Sequence, residues 1–373
     1  MKILHLLTTL DVGGAEMHVL AQVRGQAARG HEVRVAFLKG HATLERDFRD
    51  AGASDVIRLA GLKAVFALRG PMRWADIVHT HLLKADMLGA VAATLHGRRH
   101  RLIASKHNDE QVLKKPAVSL VHGVLGRLPQ RTIVLSDHVG RFVAEHGRVP
   151  LARQKRIYYG LDPTPFETAR RDAARWRPAL RAEFGFGADD FVFVCVARFA
   201  KQKAHDVLLR GFATAHRTPG GARLKLLLVG DDPFGDGRQR AEAVARELQL
   251  DRAVHFAGIR RDVPQIYAAC DAFVMTSLWE GLGLVFLEAM ASGLPVLATR
   301  VSAVPEVVVD GETGVLVSAG VPEPVGDAML ALAADPARVA RLASAGRARV
   351  LERFGLPRMI DETLAVYREV SSK

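Results

Sequence analysis

Cysteine is scarce in this chain: Cys195 and Cys270 are the only two in 373 residues. Both lie in apolar surroundings with no ligand spacing around them, which argues against a disulfide framework or a cysteine metal centre. They read as small core residues of a protein in a reducing compartment. Long apolar runs are missing too, since no stretch reaches the roughly 18 uncharged apolar residues of a membrane-crossing helix. The apolar start, Met1 to Leu10, carries one basic residue, lacks a small-residue cleavage site and runs into Asp11. It is expected to be a buried first strand of a cytoplasmic protein, not a signal peptide. Aromatic residues make up only 6% of the chain, and no strand interleaves them with lysine, which disfavours nucleic-acid binding. No GxGxxG fingerprint with a downstream acid, no hydrophobic-Asp-x-Asp motif and no convincing helical H-x3-H pair occurs. The acidic stretch Asp231 to Asp236 lacks the spacing of a calcium loop and fits a strand-to-helix turn better.

What remains is the composition of a water-soluble globular protein, 49% hydrophobic and 25% charged, long enough for two domains. Its charge is lopsided. Residues 1–165 hold 25 Lys and Arg against 14 Asp and Glu, whereas residues 166–373 hold 27 against 26. Clusters such as Arg98-Arg99-His100-Arg101 and Lys114-Lys115 suit an anionic membrane surface, an acidic substrate or nucleic acid. A solvated arginine-rich surface accounts for them equally well.

Short apolar runs alternate with amphipathic stretches. Strands are expected at Lys2–Thr8, Glu32–Leu38, Asp55–Leu59, Ile77–Thr80, Leu102–Ser105, Thr132–Leu135 and Arg156–Tyr158, with helices such as Ala15–Arg29 and Ala85–Leu95 between them. Residues 162–190, with Asp162-Pro163-Thr164-Pro165 and a basic run to Arg181, look like an inter-domain linker with one short helix. A second series follows, with strands at Phe191–Val196, Leu224–Val229, Val254–Phe256, Ala272–Thr276, Pro295–Ala298 and Gly314–Val317. Helices are expected at Ala204–Ala215, Gln239–Leu248 and Leu284–Ala291. β-α-β alternation implies parallel sheets covered on both faces. The predicted fold class is therefore α/β: two Rossmann-like, doubly wound domains facing across a cleft, 1–165 and 166–356, with a last helix at about 357–373 returning to the first.

The most informative stretch runs from Ser277 to Pro295. A strand feeds a turn holding Glu280, Gly281 and Gly283, and a helix carrying Glu288 follows and stops at Gly293. Free N–H groups at such a helix start can bind phosphate, and a carboxylate there can accept from sugar hydroxyls. By spacing alone, solvent-facing glutamates and ordinary turn glycines fit as well. The wording Glu-Gly-x-Gly-x-x-x-x-Glu-Ala-Met-Ala-x-Gly-x-Pro, however, resembles the E-x7-E signature of retaining glycosyltransferases of family 4 (GT4), which have the GT-B fold. The likeness extends along most of the chain. It takes in Val196 to Leu208, Gly258-Ile259-Arg-Arg-Asp262-Val-Pro, Ala269-Cys-Asp271, Pro305-Glu306-Val and Asp310 to Gly314.

The resemblance implies a hexose-type transfer, in glycan, glycolipid or envelope polysaccharide synthesis, from a nucleotide-diphosphate sugar to an acceptor hydroxyl. UDP is the first expectation for the donor and GDP the second. It implies that Glu288 holds the donor ribose, Glu280 lies near the moving sugar, and Gly283, Leu284 and Ile259 line the donor. Arg198 and Lys203 would clamp the diphosphate, and metal-independent catalysis without a cofactor follows. In the first domain, Gly13 and Gly14 resemble the family's Gly-Gly loop over donor phosphate and acceptor, while His107 takes the place of a histidine near the donor sugar. Glu16 also fits a first-turn acid favoured by the helix dipole; His79, His81 and His122 look structural or superficial. Two departures stand out: Tyr159 replaces an asparagine, and Asp232 replaces a glycine. The basic first half fits a lipid-linked or phosphorylated acceptor and peripheral contact with a membrane's inner face, through residues 98–131. A UDP-sugar 2-epimerase of the same fold is the alternative enzyme; a basic membrane- or nucleic-acid-binding protein is the alternative of another class.

Overall fold

The computed structural model describes residues 1–59, 61, 63–232 and 235–372. Pro233 and Phe234, inside the acidic turn singled out above, lie outside the described residues.

The chain divides into two compact units, Met1–Gly160 with Phe354–Lys373, and Leu161–Arg353. The first is built on seven parallel strands: β1 (Lys2–Leu7), β2 (Glu32–Phe37), β3 (Ala53–Arg58), β4 (Ile77–His81), β5 (Leu102–Lys106), β6 (Arg131–Val134) and β7 (Gln154–Arg156). Their order is β3-β2-β1-β4-β5-β6-β7, so the sheet reverses direction of growth between β1 and β4. The central strands are buried on both faces, Ile3 to Leu7 being inaccessible to solvent, and apolar residues dominate β1 although His5 interrupts it. β7 begins two residues before its expected start. It is an edge strand of polar residues, and the apolar Ile157 that follows it packs into the core while its N–H still donates to Val134 O (3.0 Å).

One face of this sheet is covered by the Gly14–Ala27 helix and by the terminal Leu356–Ser371 helix, which buries Met359, Ile360, Leu364 and Tyr367. The contact is close. A Cβ on Gly25 would stand 2.6 Å from the Ile360 side chain, so only glycine permits this approach.

The second unit has six parallel strands: β8 (Phe191–Val196), β9 (Leu224–Val229), β10 (Val254–Gly258), β11 (Ala272–Met275), β12 (Val296–Thr299) and β13 (Gly314–Val317). Their order is β10-β9-β8-β11-β12-β13, with the reversal between β8 and β11. Both sheets thus have a topological switch point, where the loops after adjacent strands diverge and leave a crevice at the strand ends.

The linker expected at 162–190 is corrected. Two helices occupy it, Thr164–Arg171 and Ala173–Glu183, and both belong to the second unit. They bury Phe166, Ala169 and Leu180, while the buried Arg181 guanidinium donates to Asp271 (2.6 Å) and to the Ala269 carbonyl (3.0 Å). The charge that suggested a solvated linker anchors the helix instead, and Pro178 is accommodated inside it. Asp232 shapes its turn as a cap, accepting from the backbone N–H groups of Gly235, Gly237 and Arg238.

Candidate active site

In the second unit the switch point brings together residues far apart in sequence. The loop after β8 carries Arg198 and Lys203; the loop after β11 carries Glu280. Because β8 and β11 are neighbours, the two loops meet. Backbone N–H of Leu278 donates to Gln202 O (2.8 Å), and Gln202 Nε2 donates to Trp279 O (2.7 Å). Lys203 Nζ then reaches Glu280 Oε1 at 2.5 Å, an oxygen that also accepts from Ser277 Oγ at 2.6 Å. The two charged side chains retain only 12% and 6% of their exposure. Removing either partner of so buried a pair strands the other's charge. Arg198, by contrast, is exposed at the mouth of the same loop.

Beyond Glu280 the chain turns through Gly283, whose φ is +82°, into the Leu284–Ala291 helix. A Cβ at Gly283 would lie 2.5 Å from the Phe286 ring, so backbone conformation and space both demand glycine. Leu284 is the first helical residue, and its N–H is among those a helix start leaves without an intrahelical partner. One turn further on, Glu288 is half-buried and accepts from Tyr267 Oη at 3.3 Å. Desolvation dominates over that hydrogen bond and pushes the carboxyl up to about 7. Ile259, after β10, is exposed.

In the first unit Gly13 caps the Gly14–Ala27 helix in extended conformation, with Gly14 its first residue. Glu16 is buried and accepts from Thr9 Oγ1 at 2.6 Å, so it braces the loop as well as facing the helix dipole. His107, just past β5, is buried and has both ring nitrogens engaged: Nε2 with His81 Nδ1 (3.0 Å), Nδ1 with Tyr159 Oη (3.1 Å). Burial holds its pKa down to about 3, so the ring is neutral. His122, read as structural or superficial, is buried. Its Nδ1–H donates to Gly147 O, and its Nε2 accepts from Lys106, itself paired with Asp86 at 2.6 Å.

Sequence reasoning missed Gln202 and Tyr267, whose partners Trp279 and Glu288 lie on other elements, and the role of Ser277, which holds Glu280 within its own loop. It also missed a cluster of histidines. His5, His79 and His81 bring ring nitrogens within 4.8 Å of one another, close enough for a metal. These nitrogens are already hydrogen-bonded to one another and to neutral neighbours, so the rings are partnered as a neutral network without a cation. The signal was the i, i+2 spacing of His79 and His81 on a strand, which sets both on one sheet face.

The chain has relatives of known activity. Residues 12–165 match the family described as Glycosyltransferase Family 4, and residues 190–335 match Glycosyl transferases group 1. Alpha-maltose-1-phosphate synthase of Mycolicibacterium smegmatis is 30% identical over 80% of each chain. D-inositol 3-phosphate glycosyltransferase of Saccharomonospora viridis is 31% identical over 79% of this chain and 70% of its own. Among solved structures, Anabaena HepE in complex with UDP-glucose superposes with a TM-score of 0.84 at 26% identity, over 98% of this chain and all of that one. WaaG, a glycosyltransferase involved in lipopolysaccharide biosynthesis, does so at 0.73 and 17% identity over both full chains. The two-sheet architecture is thus the GT-B fold.

Proposed function

The chain belongs to glycosyltransferase family 4, and from that premise we propose that it moves a hexose-type sugar, with retention, from a nucleotide-diphosphate donor to an acceptor hydroxyl. UDP is the favoured nucleotide, because the relatives of this fold include one seen with UDP and UDP-glucose; GDP is second. The observation that carries the reading is the Lys203–Glu280 pair at the β8/β11 switch point, beside a helix start that offers free N–H groups.

In this account Arg198, Lys203 and the backbone at Gly283 and Leu284 receive the diphosphate, Glu288 accepts from the ribose hydroxyls, and Ile259 lies along the donor. The bond from the anomeric carbon to the phosphate oxygen breaks, and its electron pair leaves with the nucleoside diphosphate. The acceptor oxygen bonds on the same face, and its proton passes to the leaving phosphate. Fixed cations and N–H dipoles stabilise the charge that develops there. Glu280, held by Lys203 and Ser277, faces the sugar as a hydrogen-bond acceptor. In the first unit, the Gly13-Gly14 loop and His107 are assigned to the sugar and the acceptor.

For the acceptor, the Pro116–Leu125 helix supplies a clue. Leu120, Val121 and Val124 are 58%, 48% and 64% exposed, with exposed Lys114, Lys115 and Arg127 beside them. An apolar strip bordered by cations fits the surface of an anionic bilayer, where a lipid-linked acceptor would be found. Among the described residues no helix is long and apolar enough to cross a membrane. Mass-spectrometric turnover over a panel of UDP- and GDP-sugars tests the reaction. Product only in the presence of an acceptor supports it; free epimerised sugar without acceptor overturns it in favour of an epimerase.

A further inference from the structure

Eight buried side chains in the first unit form one head-to-tail line of hydrogen bonds. Tyr159 Oη meets His107 Nδ1 (3.1 Å), His107 Nε2 meets His81 Nδ1 (3.0 Å), and His81 Nε2 meets His5 Nδ1 (2.9 Å). His5 Nε2 faces Gln26 Oε1 (2.9 Å), and Gln26 Nε2 donates to Tyr367 Oη (3.3 Å). Tyr367 Oη meets His79 Nδ1 (2.6 Å), and His79 Nε2 meets Ser105 Oγ (2.7 Å). Alternation along β4 and β5, with His5 of β1 in register with His79, sets the histidines and Ser105 on one sheet face, under the two helices that bring Gln26 and Tyr367.

A neutral imidazole donates from one nitrogen and accepts at the other. Burial depresses all four of these histidines, so none carries a second proton at neutral pH. The direction of the whole line is then set at a single point. The amide of Gln26 presents its oxygen to His5, which makes His5 the Nε2–H tautomer; His81 and His107 must follow in the same sense, with Tyr159 donating at the end. On the other side the Gln26 amide nitrogen donates, so Tyr367 passes its proton to His79 and His79 to Ser105. Imidazoles and hydroxyls can reverse such a line by shifting protons. An amide cannot; it would have to rotate.

We propose that Gln26 is a positioning residue for the transfer site, locking His107 as the Nε2–H tautomer with Nδ1 an acceptor. This rests on the reading that His107 acts on the sugar. A sugar hydroxyl that takes Tyr159's place on Nδ1 must therefore donate, which is a rule of orientation for the substrate. Tyr159, the departure from the family's asparagine, is the group that occupies that acceptor in the absence of sugar.

The test is 15N NMR of the imidazole rings on the full chain without ligand, assigned by single histidine substitutions, followed by steady-state kinetics. The wild type should show His5, His79, His81 and His107 as neutral Nε2–H tautomers. Gln26→Met, similar in length but without an amide, should spread His107 over both tautomers. It should lower kcat about tenfold while donor KM stays within about twofold, as loss of a supporting hydrogen bond does elsewhere. Val23→Ala, a packing loss on the same helix, should lower Tm but leave the His107 signature and kcat unchanged. The proposal fails if wild-type His107 is the Nδ1–H tautomer or a mixture, a result that needs no variant to fold. It fails equally if Gln26→Met leaves His107 locked. Because the tautomers are read without substrate, an absence of nucleotide-sugar turnover would sink the functional reading and leave this assignment standing.

Discussion

Glu288 and Lys203 differ in what their surroundings ask of them. A carboxyl raised to about 7 is protonated over part of the ordinary pH range, yet accepting from two ribose hydroxyls requires the ionised form. Protons should therefore compete with the donor. UDP affinity is expected to rise about tenfold between pH 6 and pH 8 and to level off above, and Glu288→Gln should flatten that profile; titration calorimetry reads both. The stability effect has the opposite sense. The folded state holds this proton more tightly than the unfolded chain, so stability declines as pH climbs from the ordinary glutamate range through about 7. Lys203 behaves as half of a buried pair. Lys203→Ala is expected to cost about 3–5 kcal/mol in denaturant unfolding, because Glu280 would be left charged and unpaired. The double variant Lys203→Ala with Glu280→Ala should recover part of that loss. A cost under 1 kcal/mol for the single variant would mean the pair is weaker than its burial suggests.

At the scale of elements, the Leu284–Ala291 helix depends on Gly283. Gly283→Ala forces a side chain into positive φ and onto the Phe286 ring, so a loss of about 1–3 kcal/mol is expected, with weaker UDP binding from a displaced helix start. The Pro116–Leu125 helix makes a separate prediction. Wild-type protein should sediment with vesicles containing anionic lipid and not with neutral ones, and Leu120→Ser with Val124→Ser should abolish it. Equal partition to both vesicle types would remove the membrane reading. Most elements were legible because parallel strands buried on both faces spell themselves out as apolar runs; Leu284–Ala291 was bounded correctly by Gly283 and Gly293. The Thr164–Glu183 region was not, since its arginines look solvated until Asp271, about ninety positions away, is seen to receive two of them, Arg177 and Arg181.

At the scale of the whole molecule, two sheets with the same kind of switch point explain why the candidate residues fall in widely separated loops. Each was visible singly, from its resemblance to a family motif. Their joining was not: that Lys203 touches Glu280 follows from β8 lying next to β11, which strand order decides and local spacing cannot. The histidine line was hidden for a related reason, as fifteen histidines look alike until the sheet register sets His5, His79, His81 and Ser105 on one face, with His107 just past β5. The terminal helix also matters at this scale. It completes the first unit's core, so Ile360→Ala should cost about 2–5 kcal/mol despite lying more than 200 residues beyond β5. The central claim, that the second unit holds the nucleotide diphosphate between the Lys203–Glu280 loops and the Glu288 helix, is most directly tested by calorimetric titration of UDP into wild type, Lys203→Ala and Glu288→Ala at pH 8. Wild type should bind, and each variant should lose at least about tenfold in affinity. Undiminished affinity in both, with the variants folded, would contradict it.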